Sequence, residues 1–356
     1  MSDPESVETS PRDPVLLGDL PDRPADYVGR HEDAERGLSL LSSKRLVSLT
    51  GAPGIGKTSL ATDLAKRALR DESLALSAVL WLRLDSMARA DALVASIGSL
   101  LSVDTQSEVT AQDLARSIGE TRLLLVLDGA EGLLQKDRAG LRAMLDALLS
   151  ECGGLFVLVA TQALVGSLMA VEEHELYVGP LAEEPARALL LAAAGEGLSE
   201  RERQGEPIDR LLDWLGGHPF ATKLVATQTT RVSIEALVRG LEEQEEAPPP
   251  STAAFGEERR RTQAEQRLYE RLAQSLDLCI GALDEREPGA AEMFAWLAHF
   301  PAGLPRPLLS HVFGSRAEIW KWFTAPGAPS RSRVTMSSVT SPATFIASDP
   351  SPPITR

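Results

Sequence analysis

Arg45-Leu46-Val47-Ser48-Leu49-Thr50 runs directly into Gly51-Ala52-Pro53-Gly54-Ile55-Gly56-Lys57-Thr58, and Ser59-Leu60-Ala61-Thr62-Asp63-Leu64 follows. The first six residues are short, mostly apolar and without polar alternation, which suits a strand buried on both faces. From Thr58 to Leu69, Leu60, Leu64 and Ala68 recur at four-residue spacing, the mark of a helix with one apolar side. Between them stands a glycine-rich turn ending in Lys-Thr.

Strand, glycine turn and helix in that order match G-x-x-x-x-G-K-[ST] in full from Gly51 to Thr58. Glycines let the backbone wrap closely and aim its N–H groups at one point. The positive end of the following helix adds to the attraction for phosphate. Gly51, Pro53, Gly54, Ile55, Gly56 and Ser59 are expected to line the loop, Lys57 to reach the β and γ oxygens, and Thr58 to ligate Mg²⁺. The bound species is expected to be ATP or ADP with Mg²⁺. No Asn-Lys-x-Asp string for guanine occurs in the chain.

Outward from this centre, apolar runs and helical patterns alternate. Ala78–Leu82, Leu123–Leu127, Leu155–Val159 and a weaker segment over 174–179 read as strands; 31–43, 88–101, 111–118 and 132–150 read as helices. The alternation predicts an α/β fold, a parallel sheet flanked by helices. Asp128 ends one of these strands. Strand C-termini face the ligand crevice, so Asp128 is expected to hold the metal's water shell. Glu131, just beyond, suits either polarisation of an attacking water or the first turn of a helix, where an acid complements the dipole.

The sequence predicts six regions: a disordered, proline-punctuated leader over 1–25, a nucleotide-binding domain over 26–180, a small helical domain over 181–244, a linker over 245–257, a second helical region over 258–315, and a disordered tail over 316–356. The tail is rich in Ser, Thr and Pro, as if the reading frame were lost near residue 315.

Composition narrows the partners. The net charge of -15 disfavours non-specific binding to nucleic acid or an anionic membrane through this chain alone. No run approaches the roughly 20 apolar residues a membrane helix needs, and the N-terminus carries no secretory signal, so a cytoplasmic location is expected. Cys152 and Cys279 read as reduced thiols, and the five histidines form no metal-spaced cluster.

Together these strings resemble the STAND class of signalling ATPases, and more narrowly the NB-ARC-type module of bacterial multidomain regulators. Leu46–Ala61 is similar to the class core, and Tyr27-Val28-Gly29-Arg30 resembles its V-G-R-E motif, with His31 replacing Glu. Leu124–Glu131 resembles the Walker B segment, Gly216-Gly217-His218-Pro219-Phe220-Ala221 the G-G-L-P-L-A motif, and Leu276–Phe313 the start of a winged-helix domain. The resemblance implies sheet order 5-1-4-3-2, counting from the strand before the glycine turn. It places Val28 and Arg30 near the adenine and phosphates and Pro219 against the nucleotide. It also implies a switch, closed with ADP and opened by ATP for self-association or a protein partner.

Departures matter too. The strand that in the family ends Thr-[Ser/Thr]-Arg ends Ala160-Thr161-Gln162 here, and Gly129 follows Asp128 where a second acid is usual. The winged-helix part stops before its wing. Gln162 cannot offset phosphoryl charge as Arg does, so slow or absent hydrolysis is expected. Two other readings remain beside the regulatory switch. One is an active AAA-type or STAND ATPase, cleaving ATP to ADP and phosphate on self-association. The other is a partner-binding protein with a vestigial nucleotide site.

Overall fold

The computed structural model describes residues 14–103, 108–230 and 232–243, together with 267, 270, 271, 274–276, 304, 305, 333 and 334. These fall into two compact units, one up to Leu189 and one from Leu190. The expected linker, most of the winged-helix-like region and most of the tail lie outside the described residues; Arg333 and Val334, expected within a disordered tail, pair antiparallel with Leu304 and Pro305.

The first unit is built on a six-stranded parallel sheet: β1 (Val15–Gly18), β2 (Leu46–Thr50), β3 (Ala78–Arg83), β4 (Leu123–Asp128), β5 (Leu155–Ala160) and β6 (His174–Tyr177). Their spatial order is β1-β3-β4-β5-β2-β6. Counted from the strand before the glycine turn, five of them take the expected order 5-1-4-3-2. The sixth, β1, is a correction. Residues 15–18, expected within a disordered leader, pair in parallel with β3, Val15 opposite Ala78 and Gly18 opposite Trp81. Four residues among prolines carry too little apolar surface to order themselves; the exposed edge of β3 supplies the partner.

β2, β4 and β5 are buried at every position, as their largely apolar sequence without full polar alternation favours. One face carries α1 (His31–Ser43) and α2 (Lys57–Ala68), packed on Val47, Leu49, Val79, Trp81, Val126 and Leu158. The other carries α3 (Ala90–Leu100), α4 (Ala111–Ile118) and α5 (Glu131–Glu151), packed on Leu80, Leu125, Val157 and Val159. α5 is not continuous. Asp137 has φ -147 and ψ 52 and accepts the amide of Gly140 at 3.0 Å, so it caps a second helix inside the first.

The helices α6 (Glu183–Ala194), α7 (Glu200–Arg203), α8 (Glu206–Leu215), α9 (Pro219–Ala226) and α10 (Ile234–Glu243) follow. α8 stops at Gly216, whose φ of 58 is left-handed. The buried His218 then caps α9, its Nδ1 accepting the amide of Ala221 at 3.2 Å. No helix among the described residues is long and apolar enough to cross a membrane.

Candidate functional site

β2 delivers the chain to the carboxyl edge of the sheet, where Gly51–Gly56 turn back into α2. Three glycines take conformations that side chains resist: φ is 147 at Gly51, 73 at Gly54 and 105 at Gly56. At Gly51 space is also refused, since a Cβ would stand 2.5 Å from the carbonyl oxygen of Val178. Gly56 is the residue before α2, and no side chain caps its amides. With no side-chain cap there, the positive end of α2 suits an external anion.

Lys57 folds inward. Its side chain is 9% exposed, and Nζ donates to the carbonyls of Gly51 at 3.0 Å and Ala52 at 3.1 Å. Glu131 Oε1 lies 3.7 Å from the same Nζ. Thr58 Oγ1 donates to Asp128 Oδ1 at 2.8 Å, joining the start of α2 to the end of β4. Asp128 is 3% exposed. Burial pushes its carboxyl above the usual range; the Thr58 hydroxyl opposes this, the charges of Asp85 and Glu131 add to it, and Arg83 opposes it. Arg30, also buried, donates to the Ile55 carbonyl at 2.8 Å and pairs with Asp33 at 3.0 Å.

The structure therefore brings Arg30, the turn, Lys57, Thr58, Asp128 and Glu131 to one end of the sheet. Val28, Pro53 and Ser59 are half-buried within the same segments, and Gly54 is exposed. Gln162, just past β5, is exposed. Pro219 belongs to the second unit, at the first turn of α9. The donor set fits a magnesium triphosphate: uncapped amides, one ammonium, and a hydroxyl beside a carboxylate. Among the described residues no group of three or more His, Cys, Asp or Glu is disposed to hold a metal by itself.

Some neighbours were not read from the sequence. Asp85 follows β3, and a Cβ on Gly129 would meet its Oδ1 at 2.5 Å. That carboxylate fills the space beside Asp128 which Gly129 leaves; Arg83 pairs with it at 2.9 Å. Ser48 and Thr50, buried on β2, donate to Glu173 and Glu175 on and just before β6. The alternation of hydroxyls at 48 and 50 with carboxylates at 173 and 175 was the available signal.

Residues 45–192 match the NACHT domain family, where the resemblance in the sequence pointed to the NB-ARC-type branch. The uncharacterized protein Rv0894 of Mycobacterium tuberculosis is 28% identical over 221 residues, 60% of this chain and 53% of that one. This chain thus spans about half the length of that relative. A protein of the same organism named as an HTH-type transcriptional regulator, Rv0890c, is 31% identical over 130 residues, 36% of this chain and 14% of its own. Among solved structures, the STAND protein with a tetratricopeptide repeat sensor, PH0952 from Pyrococcus horikoshii, superposes with a TM-score of 0.45 at 17% identity, over 84% of this chain and 40% of that one. The chain thus has the fold of a P-loop NTPase, a parallel sheet with the glycine turn between β2 and α2, and over residues 45–192 it is similar to the NACHT domain.

Proposed function

We propose that this chain binds ATP and ADP with Mg²⁺ as the switch module of a signalling or transcriptional regulator, with slow or absent hydrolysis. In this reading the amides of Gly51–Gly56 and of the first turn of α2 hold the phosphates. Lys57 leaves the loop carbonyls for the β and γ oxygens, and Thr58 coordinates the metal. Asp128 orders the metal's water, and Val28 and Arg30 flank the base and phosphates. Mg²⁺, held through Thr58 and Asp128, would supply positive charge to the triphosphate. The observation that carries the reading is the 2.8 Å bond from Thr58 to Asp128 beside an inward-turned Lys57. Gln162 in place of an arginine supports slow turnover. The regulator Rv0890c, similar over 36% of this chain, supports a role in transcriptional control.

A second reading has one observation in its favour. Glu131 lies 3.7 Å from Lys57 Nζ, near where the terminal phosphate would sit, which suits a residue that polarises water in a hydrolase activated by self-association. Mass spectrometry of co-purified nucleotide, with sizing in ADP and in ATP, tests the main reading. Bound adenine nucleotide and a size that depends on it are expected. A protein that carries none and gives no heat with Mg-ATP refutes it. Turnover rising with protein concentration selects the second reading.

A further inference from the structure

β1 lies at the β3 edge of the sheet, while α1 packs on α2, β2 and β6 toward the opposite edge. Residues 19–30 therefore cross the face that α2 covers, like a strap over the helix that begins at the glycine turn.

The strap is fastened midway. Asp63 of α2 is 3% exposed, and its carboxylate accepts from Arg23 at 3.2 Å, from the Tyr27 hydroxyl at 3.4 Å and from Arg67 Nε at 2.9 Å. Arg23 also lies over the Tyr27 ring, 5.5 Å from its centroid. Burial and the Asp63 charge push the Tyr27 phenol above its ordinary value, so it stays a donor. Three residues on, Arg30 grips the Ile55 carbonyl inside the glycine turn. The strap thus holds the turn and its helix at two separate points.

A carboxylate on the inner side of a helix costs several kcal/mol to desolvate unless it is well bonded, and a leucine would pack there at less cost. What the carboxylate adds is direction: two donors from the strap can meet it in one register only.

We propose that Asp63 is a positioning residue for the phosphate site. Locked on Asp63, residues 19–30 keep Arg30 against Ile55 and fix the shape of the turn. Nucleotide affinity and order in the strap are then two readouts of one coupled equilibrium, each reporting on the other. The inference rests on the nucleotide-binding reading above.

The test uses the full chain as wild type, Asp63→Asn, Tyr27→Phe and Arg23→Ala. Calorimetry with Mg-ADP is paired with hydrogen exchange over residues 19–30 with and without Mg-ADP. Wild type is expected to gain protection in the strap when nucleotide binds. Asp63→Asn is expected to bind about tenfold more weakly, about 1.4 kcal/mol, and its strap exchange to become independent of nucleotide. Tyr27→Phe and Arg23→Ala should move both readouts in the same direction by less, and they carry the test if Asp63→Asn fails to fold. A purely structural role would lower the melting temperature of the variants at unchanged affinity and unchanged nucleotide-dependent protection; that result overturns the inference. Absence of binding to wild type sinks the nucleotide reading and this inference together. Equal affinity across all four proteins sinks the inference alone.

Discussion

Lys57→Met separates the charge of Lys57 from its packing. The side chain is 9% exposed, and its ammonium donates to two loop carbonyls. Methionine keeps an apolar stem of similar length and removes only the charged head, so the nucleotide-free fold should persist. In the bound state that head is expected to make two charge-assisted bonds to phosphate oxygens, each worth about 1.5–3 kcal/mol. The loss is then about 3 kcal/mol at the least, roughly 150-fold in Kd. A thermal shift turns this into a second readout. At a nucleotide concentration of about 100 times the wild-type Kd, binding stabilises wild type by about 2.7 kcal/mol. With Kd raised about 150-fold, the same concentration stabilises the variant by about 0.3 kcal/mol. Calorimetry with Mg-ATP checks the affinity, and denaturant unfolding without nucleotide checks the fold. Wild-type affinity in Lys57→Met refutes the phosphate role. A collapse of the nucleotide-free protein shows instead that Lys57 is structural.

Asp128→Asn should raise the melting temperature of the metal-free protein at neutral pH. Burial raises the folded pKa of Asp128, so its favourable contribution is complete below the ordinary carboxylate range and is lost as pH rises through the raised value. Asparagine removes that loss, keeps an acceptor for Thr58 and should abolish the Mg²⁺ dependence of nucleotide binding; an unchanged melting temperature and Mg²⁺ response contradict this. Gly51→Ala places a side chain at φ 147 against the Val178 carbonyl and should lower stability by about 1–3 kcal/mol from backbone strain alone, measured from the denaturant midpoint. Gln162→Arg introduces a cation just past β5 and, on the nucleotide reading, should raise ATP turnover about tenfold or more in a phosphate-release assay, with little change in melting temperature.

The sheet was readable because its strands are buried on both faces: Leu123–Leu127 and Leu155–Val159 have no polar interruption, and the glycine turn fixes which strand leads into the site. The glycine turn was readable because its parts are contiguous from Gly51 to Thr58. β1 was not, because Val15–Gly18 gains order only from β3, some sixty residues on, while its own neighbours are prolines and acids. Its outward side chains show how little it buries: Val15 is 53% exposed and Leu16 45%. The break in α5 was hidden because Leu133, Leu134, Leu141 and Leu145 continue a helical pattern across Asp137. Asp63 left a trace that could have been followed, an acid between Leu60 and Leu64 on a side otherwise apolar. Of its partners, Arg23 lies in the stretch whose composition argued for disorder, and Tyr27 lies just beyond it.

The corner at Asp137 bears on how this domain tolerates change in length. Ahead of it, Glu131 lies 3.7 Å from the Lys57 ammonium. Behind it, Arg138 and Arg142 donate to the carbonyls of Leu164 and Ser167, and Asp146 accepts the amides of Met169 and Ala170. One residue inserted behind the corner, after Ala139, would turn Arg142 and Asp146 by about 100° about the helix axis and strip them from that loop. The same insertion at the corner falls where the backbone has already left helical dihedrals, and the rotation is taken up there. Natural variation in the spacing between Asp128 and this loop should therefore gather at 136–138, leaving the rear helix fixed in length.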